Sequence, residues 1–134
     1  MKTNNLSLWQ SALIGGLLAI LANLFVLQFV KPLAPDFMSL SMFPIIFWTT
    51  IATLGAATVF ALIRKYSTNP NQVFIVASVA ALLLSFGMDI PLFFYDIPLF
   101  TGKTTGGIVS LMLMHVIAAL VIVPMLIKLT RKVH

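Results

Sequence analysis

The sequence predicts an all-α protein, a bundle of four transmembrane helices. Three observations carry that prediction. Of 134 residues, 60% are hydrophobic and 8% are charged, whereas a soluble domain carries about 25% charged residues. Four windows are long and apolar enough to cross the hydrocarbon layer, which takes about 20 residues of helix. Prolines and charges gather between those windows. The length suits a single domain covering residues 1–134.

The first span is read as residues 9–30. It stops at Lys31-Pro32, a charge followed by a residue with no N–H to continue a helix. Its apolar run is longer than the core of a signal peptide and no small-x-small cleavage site follows, so a retained helix is expected. The second span is 43–63, ended by Arg64-Lys65. The third is 73–92, with Asp89 near its end. The fourth is 107–127, ended by Lys128, Arg131 and Lys132. The connections 31–42, 64–72 and 93–106 are expected in water, where turn-forming and charged residues belong.

Basic residues favour the cytoplasmic side of short loops. With both termini inside, Lys2, Arg64, Lys65, Lys128, Arg131 and Lys132 face the cytoplasm, against Lys31 and Lys103 outside. Trp9 and Tyr66 suit the inner interface. Phe93, Phe94, Tyr95 and Phe100 suit the outer one. The outer connection containing them is too apolar to float in water. It is expected to fold back over the bundle or to lie among headgroups.

Lipid offers no hydrophobic drive for helices to associate, so small residues mark contact faces. Residues four apart share a face. Ser11, Gly15, Ala19 and Asn23 line up in the first span, Thr49, Thr53, Ala57 and Ala61 in the second. Ala77, Ala81, Ser85 and Asp89 do so in the third, and His115 with Ala119, flanked by Ala118, in the fourth. The first and third stripes resemble each other. Pro32 with Asp36 and Pro91 with Asp96 also follow those spans at similar spacing. Two parallel helical hairpins related by an axis along the membrane normal would give this pattern, as would chance in alanine-rich helices.

Polar groups at membrane depth are costly and need partners. Asn23 is expected ~10 Å below the outer end of its span and His115 ~12 Å below, at 1.5 Å per residue. Thr49, Thr50 and Ser85 fall at similar depth, and Asp89 about a turn above Ser85. The ligand-binding candidates are therefore Asn23, Thr49, Ser85, Asp89 and His115. Two readings stand. In one, these groups make interhelical bonds worth about 0.6 kcal/mol each and nothing is bound. In the other, they line a cavity open to the outside or the outer leaflet, with His115 and Asp89 as a titratable pair.

Pro124 frees a carbonyl near residue 120 and is expected to bend the fourth helix. Gln28, near the outer end of the first span, is expected to reach up to the interface.

Several classes are excluded or unsupported. The chain has no cysteine, so disulfides, thiolate metal sites and thiol redox chemistry are absent. The net charge of +5 reflects topology, since no basic face with interleaved aromatics points to nucleic acid. Met112 and Met114 do not share a helix face, which leaves a thioether metal site unsupported. His115 and the terminal His134 cannot bracket a haem within one chain. No phosphate loop or HExxH motif occurs, and no cofactor or metal is expected. A histidine and an aspartate without a nucleophile form a sparse catalytic set. A lipid-modifying, isomerase-like activity would need no more than an acid and a base.

Ala22-Asn23 in the first span, Met114-His115 with Ala118-Ala119 in the fourth and the following Pro124 resemble a bacterial family of small four-helix membrane proteins without assigned activity. That resemblance runs over most of the chain. It implies a place in the bacterial inner membrane and marks Asn23 and His115 as positions to test.

The expectation is a binding or transport module in the plasma membrane, accepting a lipid or small amphipathic molecule in its outer half. The alternative is a scaffold or accessory subunit, docked on a larger membrane complex or on copies of itself. Membrane lipids are the expected partners in either case. So few polar residues cannot line a wide aqueous pore within one subunit.

Overall fold

A computed structural model describes residues 6–130. Four helices run up and down: α1 Leu8–Val30, α2 Met42–Tyr66, α3 Pro70–Asp89 and α4 Thr105–Leu129. Each is long and apolar enough to cross a membrane. The architecture is the all-α four-helix bundle that the hydropathy pattern predicts. Helix ends fall within about three residues of the expected ones, inside the usual uncertainty of helix boundaries. Lys2, Arg131, Lys132 and His134 lie outside the described residues.

Local chemistry explains the ends. Ser7 caps α1 through a reciprocal pair: its hydroxyl accepts from the Gln10 amide at 3.2 Å, and the Gln10 side chain accepts from the Ser7 amide at 2.9 Å. Pro70 opens α3, where a missing N–H costs nothing. Pro91 closes α3, because it cannot donate to the carbonyl four residues back. Thr104 caps α4, accepting from the Gly107 amide at 3.0 Å. The same hydroxyl donates to the Leu33 carbonyl at 2.8 Å, tying the two connections at this end together. α4 runs through Pro124 without a break.

In the bundle, α1 packs most extensively on α4 and then on α2, while α3 packs on α4 and more thinly on α2. Two glycines let α1 approach both neighbours. A Cβ at Gly15 would stand 3.1 Å from Met125 Cβ, and one at Gly16 would stand 2.9 Å from Thr53 Cγ2. The first and second stripes are interior as expected: Ser11, Gly15, Ala19, Asn23, Thr49, Thr53 and Ala57 are buried, and Ala61 half-buried. The third stripe is interior except at Ala81, which is exposed: Asp89 is buried, and Ala77 and Ser85 are half-buried. Deeper in α3, Phe74 is buried as well and stacks on Phe60 of α2 with centroids 4.5 Å apart. The two hairpins are also unequal in packing, since α1 meets α4 far more closely than α2 meets α3.

Two cores follow. The inner one, nearer the α2–α3 turn, joins Ala12, Ala19, Ala57, Phe60, Phe74, Ile122 and Leu126, from all four helices. The outer one joins Leu27, Val30, Ile45 and Met114 with Ala34, Phe37 and Leu40 of the first connection. That connection was expected in water. Instead Ala34, Phe37 and Leu40 are wholly buried, and the segment plugs the outer mouth. The apolar residues among its prolines supply the reason, for they gain more by covering the helix ends than by facing solvent. Gly107 permits the seal, since a Cβ there would sit 2.7 Å from Ala34 Cβ and 2.9 Å from Phe37 Cδ1. The aromatic connection does the reverse: Phe94, Tyr95 and Leu99 point outward, the disposition expected of a segment lying among headgroups.

Candidate functional site

α3 supplies no residue to the outer core. In that half of the bundle its inward contact is ionisable. Asp89, the last residue of α3 and 7% exposed, brings Oδ2 to 3.0 Å from Nδ1 of His115 on α4. Both atoms are cut off from solvent, yet neither completes a hydrogen bond of regular direction. The distance satisfies a hydrogen bond and the angle does not.

The position of Asp89 is electrostatically awkward. A helix C-terminus carries partial negative charge and disfavours an acid by about 0.3–1 kcal/mol, and no basic residue lies in the last turn of α3. Its compensating partner is His115, delivered across the helix–helix contact.

His115 is placed by the periodicity of α4. Val109, Leu113 and Leu120 form the outward stripe of that helix. His115 is two residues past Leu113, about 200° around the helix, and shares its stripe with Ile122, which is 4% exposed. Even so, 41% of the His115 side chain is accessible. Nδ1 is buried against Asp89, so the accessible part of the ring lies away from that nitrogen.

Asn23 projects from α1, is 3% exposed, and has its Oδ1 buried without a partner. Depth follows from the contacts between antiparallel helices. Gly15 lies against Ile122 and Met125, Gly16 against Thr53, Phe60 against Phe74, and His115 against Asp89. Counting outward from these contacts puts Asn23, Asp89 and His115 at one level, with Thr49 and Ser85 about one turn (~5 Å) deeper. Thr49 is buried and Ser85 half-buried. The Ser85 hydroxyl donates to its own helix at the Leu82 carbonyl, 2.6 Å. The single contact made between expected site residues is thus Asp89–His115. Thr50 turns outward, donating to the Ile46 carbonyl at 2.7 Å.

Among the described residues no group of three or more His, Cys, Asp or Glu side chains could hold a metal ion. Residues of the first connection carry features that the pattern of spans did not single out, because burial of a loop leaves no periodic signal. Lys31 and Ser41 border an open groove there with Gln28. Gln28 bonds back to the Leu24 carbonyl at 3.4 Å.

The model of a family described as "Family of unknown function (DUF6069)" matches residues 3–132. The chain belongs to that family, which covers nearly its whole length. No curated protein and no solved structure matches it.

Proposed function

We propose that this member of the DUF6069 family is a binding or transport module of the plasma membrane, without catalysis. It takes the polar group of a lipid or small amphipathic molecule into the outer half of the bundle. Asn23, Asp89 and His115 form the rim of the recess, with Thr49 and Ser85 beneath. The observation that carries this reading is a partly accessible His115 whose Nδ1 stands 3.0 Å from a buried carboxylate at membrane depth. An intramembrane ionisable pair is costly, and such pairs mark an interior path or a ligand site. The thin packing of α3 on α2 and its absence from the outer core support an approach from the bilayer side. Both termini on the cytoplasmic side would place the recess towards the outer leaflet.

The test is purification of wild type, His115→Leu and Asp89→Leu under mild conditions, followed by native mass spectrometry and thermal unfolding. Both substitutions are expected to reduce the co-purifying lipid. If both leave bound lipid and unfolding temperature unchanged, the recess has no ligand.

A second reading, a scaffold or accessory subunit, is supported by the apolar outward face of α3, where Val76, Leu83 and Leu84 are all more than half exposed. The same mass measurement separates the two. A monomer carrying a small molecule supports the first; a defined oligomer or a co-purifying protein supports the second.

A further inference from the structure

The two lysines at the outer end differ in what neutralises them. Lys103 pairs with Asp96 at 3.2 Å. Lys31 is half-buried at the end of α1, and its Nζ reaches the Phe37 carbonyl at 3.4 Å, a long and weak hydrogen bond. Among the described residues no carboxylate lies within ion-pair distance of it. Lys31 borders an open groove of about 490 Å³, within the size range of small-ligand sites. Its lining is apolar at Leu27, Leu40 and Met42 and polar at Gln28 and Ser41, whose side chains also donate to the Leu24 and Met38 carbonyls.

We infer that this groove binds one anionic phospholipid, phosphatidylglycerol being the simplest representative. Lys31 meets the phosphate, Gln28 and Ser41 meet the glycerol headgroup, and an acyl chain runs down past Leu27 and Met42. Three arguments converge on that occupant. The groove sits where α1 ends, the end that the charge bias assigns to the outer interface. It couples a cation lacking a carboxylate partner to an apolar channel, which is the amphipathic form of a phospholipid. Its charge selects an anionic headgroup over a zwitterionic one, and one lysine near a membrane surface contributes about fivefold in affinity for anionic lipid. A free phosphate would satisfy Lys31 and leave Met42, which is 59% exposed, uncovered. This site is separate from the His115–Asp89 recess, so either can fail without the other.

The experiment is native mass spectrometry of the full chain titrated with phosphatidylglycerol and, separately, with phosphatidylcholine of matched acyl chains. Wild type, Lys31→Gln, Lys31→Arg and Lys103→Gln are compared, each first shown to be monodisperse. Wild type is expected to bind one phosphatidylglycerol about fivefold more tightly than phosphatidylcholine. Lys31→Gln should bring the two lipids to near parity, while Lys31→Arg and Lys103→Gln keep the preference. Equal binding of the two lipids by wild type overturns the inference, as does a preference that survives Lys31→Gln or falls equally in Lys103→Gln. Lys31→Arg separates loss of charge from loss of fold. His115→Leu should leave the preference intact.

Discussion

Nδ1 of His115 and Oδ2 of Asp89 stand 3.0 Å apart, joining α4 to the last residue of α3 in the half of the bundle where α3 contributes nothing to the apolar core. The outer half of α3 is thus held by a polar contact, whereas its inner half is held by the Phe60–Phe74 stack. Each contact has a distinct signature under substitution.

Removing one member of the polar pair leaves the other buried without its partner. Asp89→Leu and His115→Leu should each destabilise the protein by about 1–3 kcal/mol. The double variant should lose clearly less than the sum. Unfolding in detergent, run as a double-mutant cycle, reads this coupling; strict additivity would mean that the two side chains do not interact.

The plug makes the two outer connections respond in opposite ways. Phe37→Ala empties a wholly buried site and should cost about 3–5 kcal/mol. Phe94→Ala removes a ring that is 76% exposed and should stay within about 0.5 kcal/mol. Thr104→Val removes both the α4 cap and the link to Leu33, at about 1–2 kcal/mol, while Thr104→Ser should retain most of it. Hydrogen exchange at residues 105–108 checks the cap directly: faster exchange in Thr104→Val and near-native exchange in Thr104→Ser.

Glycines separate tight contacts from open surface. Gly107→Ala drives a Cβ into Ala34 and Phe37, and overpacking of that kind costs about 1–3 kcal/mol. Gly55→Ala meets nothing within 4 Å and should stabilise α2 by about 0.5–1 kcal/mol through helix propensity. Thermal unfolding of the two variants should move in opposite directions.

Orientation is open to a direct assay, because the chain has no native cysteine. With the bundle placed as the charge bias directs, Leu99→Cys should react with a membrane-impermeant thiol reagent added outside intact cells. Asn69→Cys should react only after the membrane is opened. The reverse pattern would invert the topology and put Asn23, Asp89 and His115 in the inner half.

Some of this architecture was legible in the residues alone. Trp9 to Val30 and its three counterparts announced themselves because a bilayer demands length and apolarity in each helix separately, and those properties are local. The Gly15–Ala19–Asn23 stripe was equally readable, since small residues at a four-residue spacing define one face whatever lies opposite. The third stripe was readable at Ala77, Ser85 and Asp89 and failed at Ala81, which is exposed although its spacing is that of a contact face.

The amino-acid order by itself determined four spans and, within about three residues, the ends at which they stop. Which polar residues share a level came from the contacts between helices, which put Asp89 beside Asn23 and His115 and left Thr49 and Ser85 a turn deeper. Which connection would seal the mouth, and which of five polar side chains would touch, depended on the tertiary structure. Phe37 is buried among residues of α1, α2 and α4, and Asp89 meets His115 across the contact of two helices. Such pairings are properties of distances between segments, and no single segment encodes them.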